Sequence, residues 1–376
     1  MAKGIHLTLM IGPAVPVPVP PEVLDSLERV QIESPSGATQ AGFELTFSLP
    51  RRSPLETLFL VAGGTSIPLV RVVIAVTVGG ETSVLMDGVM THHEVRRGAS
   101  GSQGSLVVKG KDLSQVMDLV ELDGFPYPAM PSSLRVLSSL AKYAAFGVTP
   151  TVIPAVVEDI PIPIERIPRQ QGTDYQYFRY LAEQAGYVFY IDPGPRAGMS
   201  RAYWGPELRV GQPQPALNLD MDAHTNVESL SFRFDQEAKE TPIVMIQNPA
   251  TKMPIPIPIP DISPLNPPLG AIPPLPPKFK TLKQTAKQNP AQAIMTGLAY
   301  AAQHQDSVTA SGSLDVLRYG RVLKSRGLVG VRGAGMAFDG LYFVKSVTHT
   351  IERGDYQQDF TLVRNGLVST VPAVPA

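Results

Sequence analysis

A glycine-rich loop, two adjacent histidines and a run of carboxylates are the places where residue types and spacing in this chain could do chemistry. The loop is GVRGAGMAFDG, residues 330–340. Gly333 and Gly335 fit the G-x-G of a dinucleotide fingerprint, but Phe338 stands at the third glycine position. That fingerprint holds phosphate at a helix N-terminus. A strand is expected to follow here, so the loop reads as a glycine turn between strands. In THHE, residues 91–94, a strand would send His92 and His93 to opposite faces, where they cannot easily share one ion. No H-E-x-x-H spacing occurs among the six histidines, and His349 reads as a packed or hydrogen-bonded strand residue. The stretch VEDIPIPIERI offers Glu158, Asp159 and Glu165, but a glycosidase needs its carboxylates paired across a cleft. Ser100, in GASGSQG, lacks the glycine two positions later that a nucleophile elbow requires, and that stretch reads as a flexible hairpin tip. The Arg and Lys residues of the last strands read as solvated faces. No catalytic residue, cofactor site or metal site is assigned.

The elements around these residues are mostly β. FELTFSL, residues 43–49, alternates Phe43, Leu45, Phe47 and Leu49 with polar residues, the pattern of a half-buried strand. LVRVVIAVTVGG, residues 69–80, is β-branched and ends in a Gly-Gly turn. Several such strands predict a barrel or sandwich over residues 1–120. The period changes in an α/β region over residues 121–225. There PSSLRVLSSLAKYAAFG predicts a helix with Leu134, Leu137, Leu140, Ala141 and Ala144 on one face, ending at Gly147. GTDYQYFRYLAEQAGYVFYI predicts a helix followed by a strand. Thr173 and Gln176 suit a capping box, Asp174 suits the positive helix end, Phe178 and Leu181 form the apolar stripe, and Gly186 suits the left-handed cap. A second β region is expected over residues 226–370. Its proline-rich part, residues 248–290, has too few amide donors for a helix or inner strand and reads as an extended polyproline insertion. The stretch NPAQAIMTGLAYAAQHQ predicts a helix with Pro290 in its first turn.

Composition narrows the partners. Of 376 residues 17% are charged, fewer than the roughly one quarter usual in soluble chains, which points to surface covered by copies or partners. The net charge of -1 gives no basic field for nucleic-acid recognition. There is no cysteine, so disulfides and thiolate metal sites are excluded. No apolar run approaches the ~20 residues of a membrane span. The N-terminus reads poorly as a signal peptide, so cytoplasmic assembly is expected.

Two segments resemble each other. Residues 89–110 carry Thr91, His92, Arg97, Gly98, Leu106, Val107, Lys109 and Gly110. Residues 346–366 carry Thr348, His349, Arg353, Gly354, Leu362, Val363, Arg364 and Gly366 in similar spacing, and an Asp-Gly precedes each segment. Each reads as a β-hairpin with an Arg-Gly turn, which suggests duplicated β domains around the α/β region.

Residues 314–366 also resemble the C-terminal signature of phage late control protein D, and the helix–strand unit matches the same family. These are baseplate hubs of contractile tails, similar to the N-terminal part of type VI secretion spikes. The resemblance places signature positions at Gly330, Gly333, Gly335, Asp339, Gly340, Tyr342, Val344, His349, Arg353 and Gly354. In the helix–strand unit they are Thr173, Asp174, Phe178, Leu181 and Gly186. It implies a mainly β chain with an α+β insertion, two tube-like β-barrel domains per chain, and a homotrimer forming a pseudo-six-fold ring. The implied partners are a tail tube protein above, a separate spike protein below and other baseplate proteins, in a virion or injection particle. The alternatives are a tail-associated peptidoglycan-degrading enzyme and a glycan-binding protein, for which Trp204 and scattered tyrosines are the available platform.

Overall fold

The computed structural model describes residues 4–13, 15–49, 69–97, 104–155, 158, 160–164, 166–247, 251, 253–259, 267–275, 278–282, 290–371 and 374. Most of Gly98–Gly104, with Ser100, lies outside them, as do Asp159, Glu165 and much of residues 248–290.

The first region holds β1 (Ile5–Gly12), β2 (Val17–Pro18), α1 (Pro21–Ser26), β3 (Leu27–Pro35), β4 (Gly42–Leu49), β5 (Arg71–Val78), β6 (Glu81–Arg96) and β7 (Gly104–Asp112). In β4 the alternation read from sequence is realised: Phe43, Leu45, Phe47 and Leu49 are buried and the residues between them half-buried. Strand β5 is buried on both faces and joins β6 through Gly79 and Gly80, at φ +57° and +86°. Positive φ at both turn residues matches the right-handed strand twist, and glycine adopts it without Cβ strain.

The middle region holds α2 (Ser132–Leu140), β8 (Val148–Val152), α3 (Asp174–Ala185), β9 (Val188–Pro193) and β10 (Ser200–Gly205). The expected leucine face of α2 is corrected. Val136 and Leu140 are buried, while Leu134 and Leu137 are 50% and 41% exposed. Two serines accompany the buried pair: the Ser139 hydroxyl meets that of Tyr127 at 2.8 Å, and Ser133 donates to Glu158. The helix then tightens to 3-10 over Ala141–Phe146 before Gly147 ends it at φ +73°, so a single 3.6-residue period does not run through. Strands β8, β10 and β9 form a small sheet in that order, and Phe178, Phe189 and Trp204 fill the core beside it.

The last region holds β11 (Gln214–Asn218), β12 (Ser229–Phe234), β13 (Glu240–Gln247), β14 (Pro254–Pro258), β15 (Gly270–Ile272), β16 (Lys278–Thr281), α4 (Pro290–Gln303), β17 (Val308–Asp315), α5 (Val316–Tyr319), β18 (Leu328–Arg332), β19 (Gly340–Glu352), β20 (Asp355–Arg364) and β21 (Leu367–Ser369). Pro254–Pro258 is not free polyproline. It is an edge strand on β13, the one place in a sheet where alternating prolines cost no ladder bond. The helix expected after Pro290 is α4.

Thirteen strands make one sheet. Strands β1, β3, β4, β5, β6 and β7, numbered one to six, lie in the order 2-3-6-5-4-1. Strands β11, β12, β17, β18, β19 and β20 lie in the same order. Every neighbour in both sets is antiparallel except β11, which runs parallel to β18. The two sets join where β3, at the edge of the first, pairs with the part of β19 that β18 leaves uncovered, with Ile32 opposite His349. Between the second and third strands, residues 36–41 suffice in the first set, whereas residues 235–307 intervene in the second. The fold is mostly β around this large sheet. Among the described residues, strand pairing closes neither set into a barrel, so the two expected barrels are seen as halves of an open sheet.

Candidate functional site

The long C-terminal signature folds around one buried arginine. Along β20 the even positions Tyr356, Gln358, Phe360, Leu362 and Arg364 all point inward. Arg364 is fully buried, and among the described residues no carboxylate pairs with it. Its Nε donates to the carbonyl of Gly366 (2.7 Å), Nη1 to that of Asp339 (2.9 Å) and Nη2 to that of Ala337 (2.8 Å). The guanidinium lies 4.5 Å over the Tyr342 ring, and Tyr342 Oη donates to Phe338 O (2.7 Å). Burial lowers the Arg364 pKa, although three carbonyl acceptors still hold the cation. Arg364 is thus no solvated charge. It is the clamp of the glycine loop.

The loop's own polar groups are spent on itself. Ala334 N donates to Asp339 Oδ1 (2.7 Å), and the amides of Phe338 and Asp339 donate to Gly335 O. Gly333 has φ +84°, and a Cβ there would sit 1.8 Å from Leu219 O. Gly335 has φ +87° but open space around it. At Gly340, with φ +130°, a Cβ would meet the Ser369 side chain at 2.6 Å. At Gly330 it would meet Val374 at 1.9 Å. The strand β19 follows, not a helix, so the arrangement builds a tight turn and offers no phosphate cradle.

His349 and Val344 lie further along β19, both buried. His349 Nδ1 stands 2.8 Å from Tyr356 Oη and 3.2 Å from Gln358 Nε2, and Gln358 also exchanges two bonds with the backbone of Leu323. Two donors converge on Nδ1, which makes it the acceptor. Burial pulls the His349 pKa from 6.5 to about 4 and pushes that of Tyr356 up, so both are neutral at neutral pH. Arg353 and Gly354 form the tip of the β19–β20 hairpin. Gly354 takes φ +90°, and Arg353 Nη2 donates to the carbonyl of Asp25.

The helix–strand unit is a separate cluster. Thr173 Oγ1 accepts from Gln176 N (3.2 Å) and donates to Asp118 Oδ1 (2.6 Å). Gln176 Nε2 also points to Asp118 (3.5 Å), so only half of the expected capping box forms. Asp174 is buried in the first helical turn and is met by Tyr143 Oη (2.6 Å), Gln170 Nε2 (2.9 Å) and Lys142 Nζ (2.6 Å). Phe178 and Leu181 face the core. Gly186 caps the helix at φ +71°, and a Cβ there would lie 2.3 Å from Ala299 Cβ of α4. This contact joins the middle region to the last. A second junction is the buried pair of Arg71 and Asp87, bidentate at 2.7 Å twice, which Ser200 Oγ of β10 completes at 2.9 Å.

Ser100, Asp159 and Glu165 lie outside the described residues, and the enzymatic candidates among the described residues are not brought together. Glu158 accepts from the amide and hydroxyl of Ser133 and caps α2. His92 and His93 are exposed on β6. Among the described residues, no group of three or more His, Cys, Asp or Glu side chains stands ready for a metal. Trp204 is buried, its Nε1 donating to Phe178 O (3.2 Å), and forms no exposed platform. No helix of the described residues is long and apolar enough to cross a membrane.

No family model and no curated sequence matches the chain. Solved structures do. A tail protein from Neisseria meningitidis superposes with TM-score 0.63 at 15% identity, covering 97% of this chain and 98% of that one. The 43 kDa tail protein of prophage MuSo2 from Shewanella oneidensis gives 0.60 at 14%, covering 96% and 98%. An Escherichia coli type VI secretion component, described as similar to T4 bacteriophage tail proteins, gives 0.53 at 11%, covering 93% and 78%. The chain has the fold of phage tail proteins. At these identities the fold alone is common ground, and it agrees with the resemblance carried by residues 314–366.

Proposed function

We propose that this chain is a structural hub in the baseplate of a contractile phage tail or a phage-derived injection system. In this reading three copies form a ring. Each gives two β domains, residues 1–120 and 226–370, the second completed by β11 (Gln214–Asn218), around the α/β region at 121–225. The observation that supports it most is the repeated 2-3-6-5-4-1 strand order within one tail-protein fold. A chain that carries one architecture twice presents six near-equivalent edges from three copies. It fits a six-fold tail tube on one side and a three-fold spike on the other. Head-to-tail contacts whose rotation closes make rings.

The signature residues then act as structural positions. Arg364 and the glycine loop fix the route from β18 to β19, and His349 seals the seam where the two sets meet. Under sheath contraction, load passes through β-ladder hydrogen bonds instead of a reaction centre. The exposed apolar residues of the middle region, among them Leu134, Leu137, Ile162 and Ile164, suit burial against other baseplate proteins. Assembly takes place in the cytoplasm and the product is part of a virion or injection particle. Light scattering on the purified chain tests the reading, with a trimer expected. The rival peptidoglycan-degrading reading predicts turbidity loss on purified cell wall, and the engagement of Glu158 with Ser133 speaks against it.

A further inference from the structure

We propose that β12 of one copy pairs, antiparallel, with the outer part of β6 of a second copy, with Arg233 opposite Glu94 and Phe232 opposite Val95. The inference rests on the homotrimer reading and names the edges that would make it.

The pairing follows from the repeat inside the chain. Strand β19 shares one edge between two partners: β18 covers residues 340–343, and β3 covers residues 346–352. Its counterpart β6 is half-covered. Strand β5 pairs with residues 81–89, and among the described residues nothing pairs with that edge over 91–96. The counterpart of β3 is β12, which among the described residues pairs only with β17. Each set therefore has the two strands that meet at the β3–β19 seam. One pairing is made within the chain, and the other leaves two free edges. Free edges of this kind are templates for a further strand.

The bulges set the register. The β6–β7 ladder shifts at Thr91, between Met90 and His92, and the β19–β20 ladder shifts at Lys345, between Val344 and Ser346. Counting from these bulges makes Val95 the counterpart of His349. Counting through β4 and β17 makes Phe232 the counterpart of Ile32. Ile32 faces His349, so Phe232 faces Val95. Arg233 then faces Glu94, and Asp235 faces His92.

The chemistry matches without having been used to set the register. Opposite charges fall opposite each other, as a stable cross-strand pair requires. At present Glu94 pairs with Arg96 and Arg233 with Asp235 along their own strands, and all four are exposed to solvent. Phe232, Phe234 and Val95 are only partly buried against the main core, and a neighbouring strand would complete their cover.

The chain has no cysteine, so an R233C/E94C double variant carries only the two thiols under test. Both positions are exposed, and facing residues of an antiparallel pair lie within disulfide reach. Oxidation is expected to give a covalent trimer on a non-reducing gel, while each single variant stops at dimer. The R233C/H92C variant moves the register by two residues and is expected to cross-link far less. A chain that light scattering shows to be trimeric but that fails to cross-link as R233C/E94C, or that cross-links better as R233C/H92C, overturns this pairing and leaves the hub reading standing. A chain that stays monomeric overturns both.

Discussion

Arg364 carries the clearest single-residue expectation. It is buried with three backbone carbonyls as its acceptors, so Arg364→Ala strands all three. The expected loss is about 3 kcal/mol or more, read as a shift in urea midpoint. Arg364→Lys supplies one ammonium in place of a fork and should recover only part of it. Equal midpoints for the lysine variant and the parent would contradict the clamp. His349 makes a pH expectation. Its folded pKa of about 4 lies below the ordinary 6.5, so the unfolded chain binds a proton that the folded chain refuses. The stability that this neutral histidine contributes is present above pH 6.5 and is lost as pH falls from there toward 4. The loss is on the order of 3 kcal/mol relative to a His349→Gln variant, and urea midpoints measured across that range should converge. Parallel curves for the two proteins would show that His349 titrates normally. The histidine was legible as a packed strand residue, since THTIE alternates and places it inward. Arg364 was not, because a charge near a strand end usually faces water. The signal was available: it continues the even-numbered inward row of Tyr356, Phe360 and Leu362.

At the scale of elements, the sequence spoke where one force dominated. Strand β4 and the α3–β9 unit follow period and caps closely, because each buries one simple face. Helix α2 departed because buried serines bonded to Tyr127 and Glu158 replaced leucines on its inner face. The glycine loop was not legible, since Gly333 and Gly335 look alike in sequence and share a left-handed φ. Their surroundings differ, and a paired substitution exploits this. Gly335→Ala meets open space and should cost about 1–2 kcal/mol from its backbone conformation alone. Gly333→Ala adds a clash with Leu219 O and should cost clearly more. Thermal unfolding of both variants checks this, and equal losses would mean that Leu219 does not constrain the turn. At the head of α3, Thr173→Ala removes a cap and should cost about 1 kcal/mol by the same measurement.

The whole molecule is one chain that carries a six-strand order twice and joins the copies at the β3–β19 seam. The repeated hairpins hinted at this. The residue matches did so imperfectly: counted from the hairpin tips, Leu106 is the second rung of its ladder and Leu362 the eighth. Turn chemistry recurs for local reasons, whereas strand order is set by the whole sheet, so the order was out of reach of any short segment. The low charge, and the edges of β6 and β12 that are unpaired among the described residues, both call for a partner surface, which further copies of the chain would supply in the proposed ring. The most direct test is the mass of the purified protein by light scattering. The account predicts three times the 40.5 kDa of one chain, with ring-shaped particles of six-lobed outline on grids. A single-chain mass, unchanged across concentration, would contradict it.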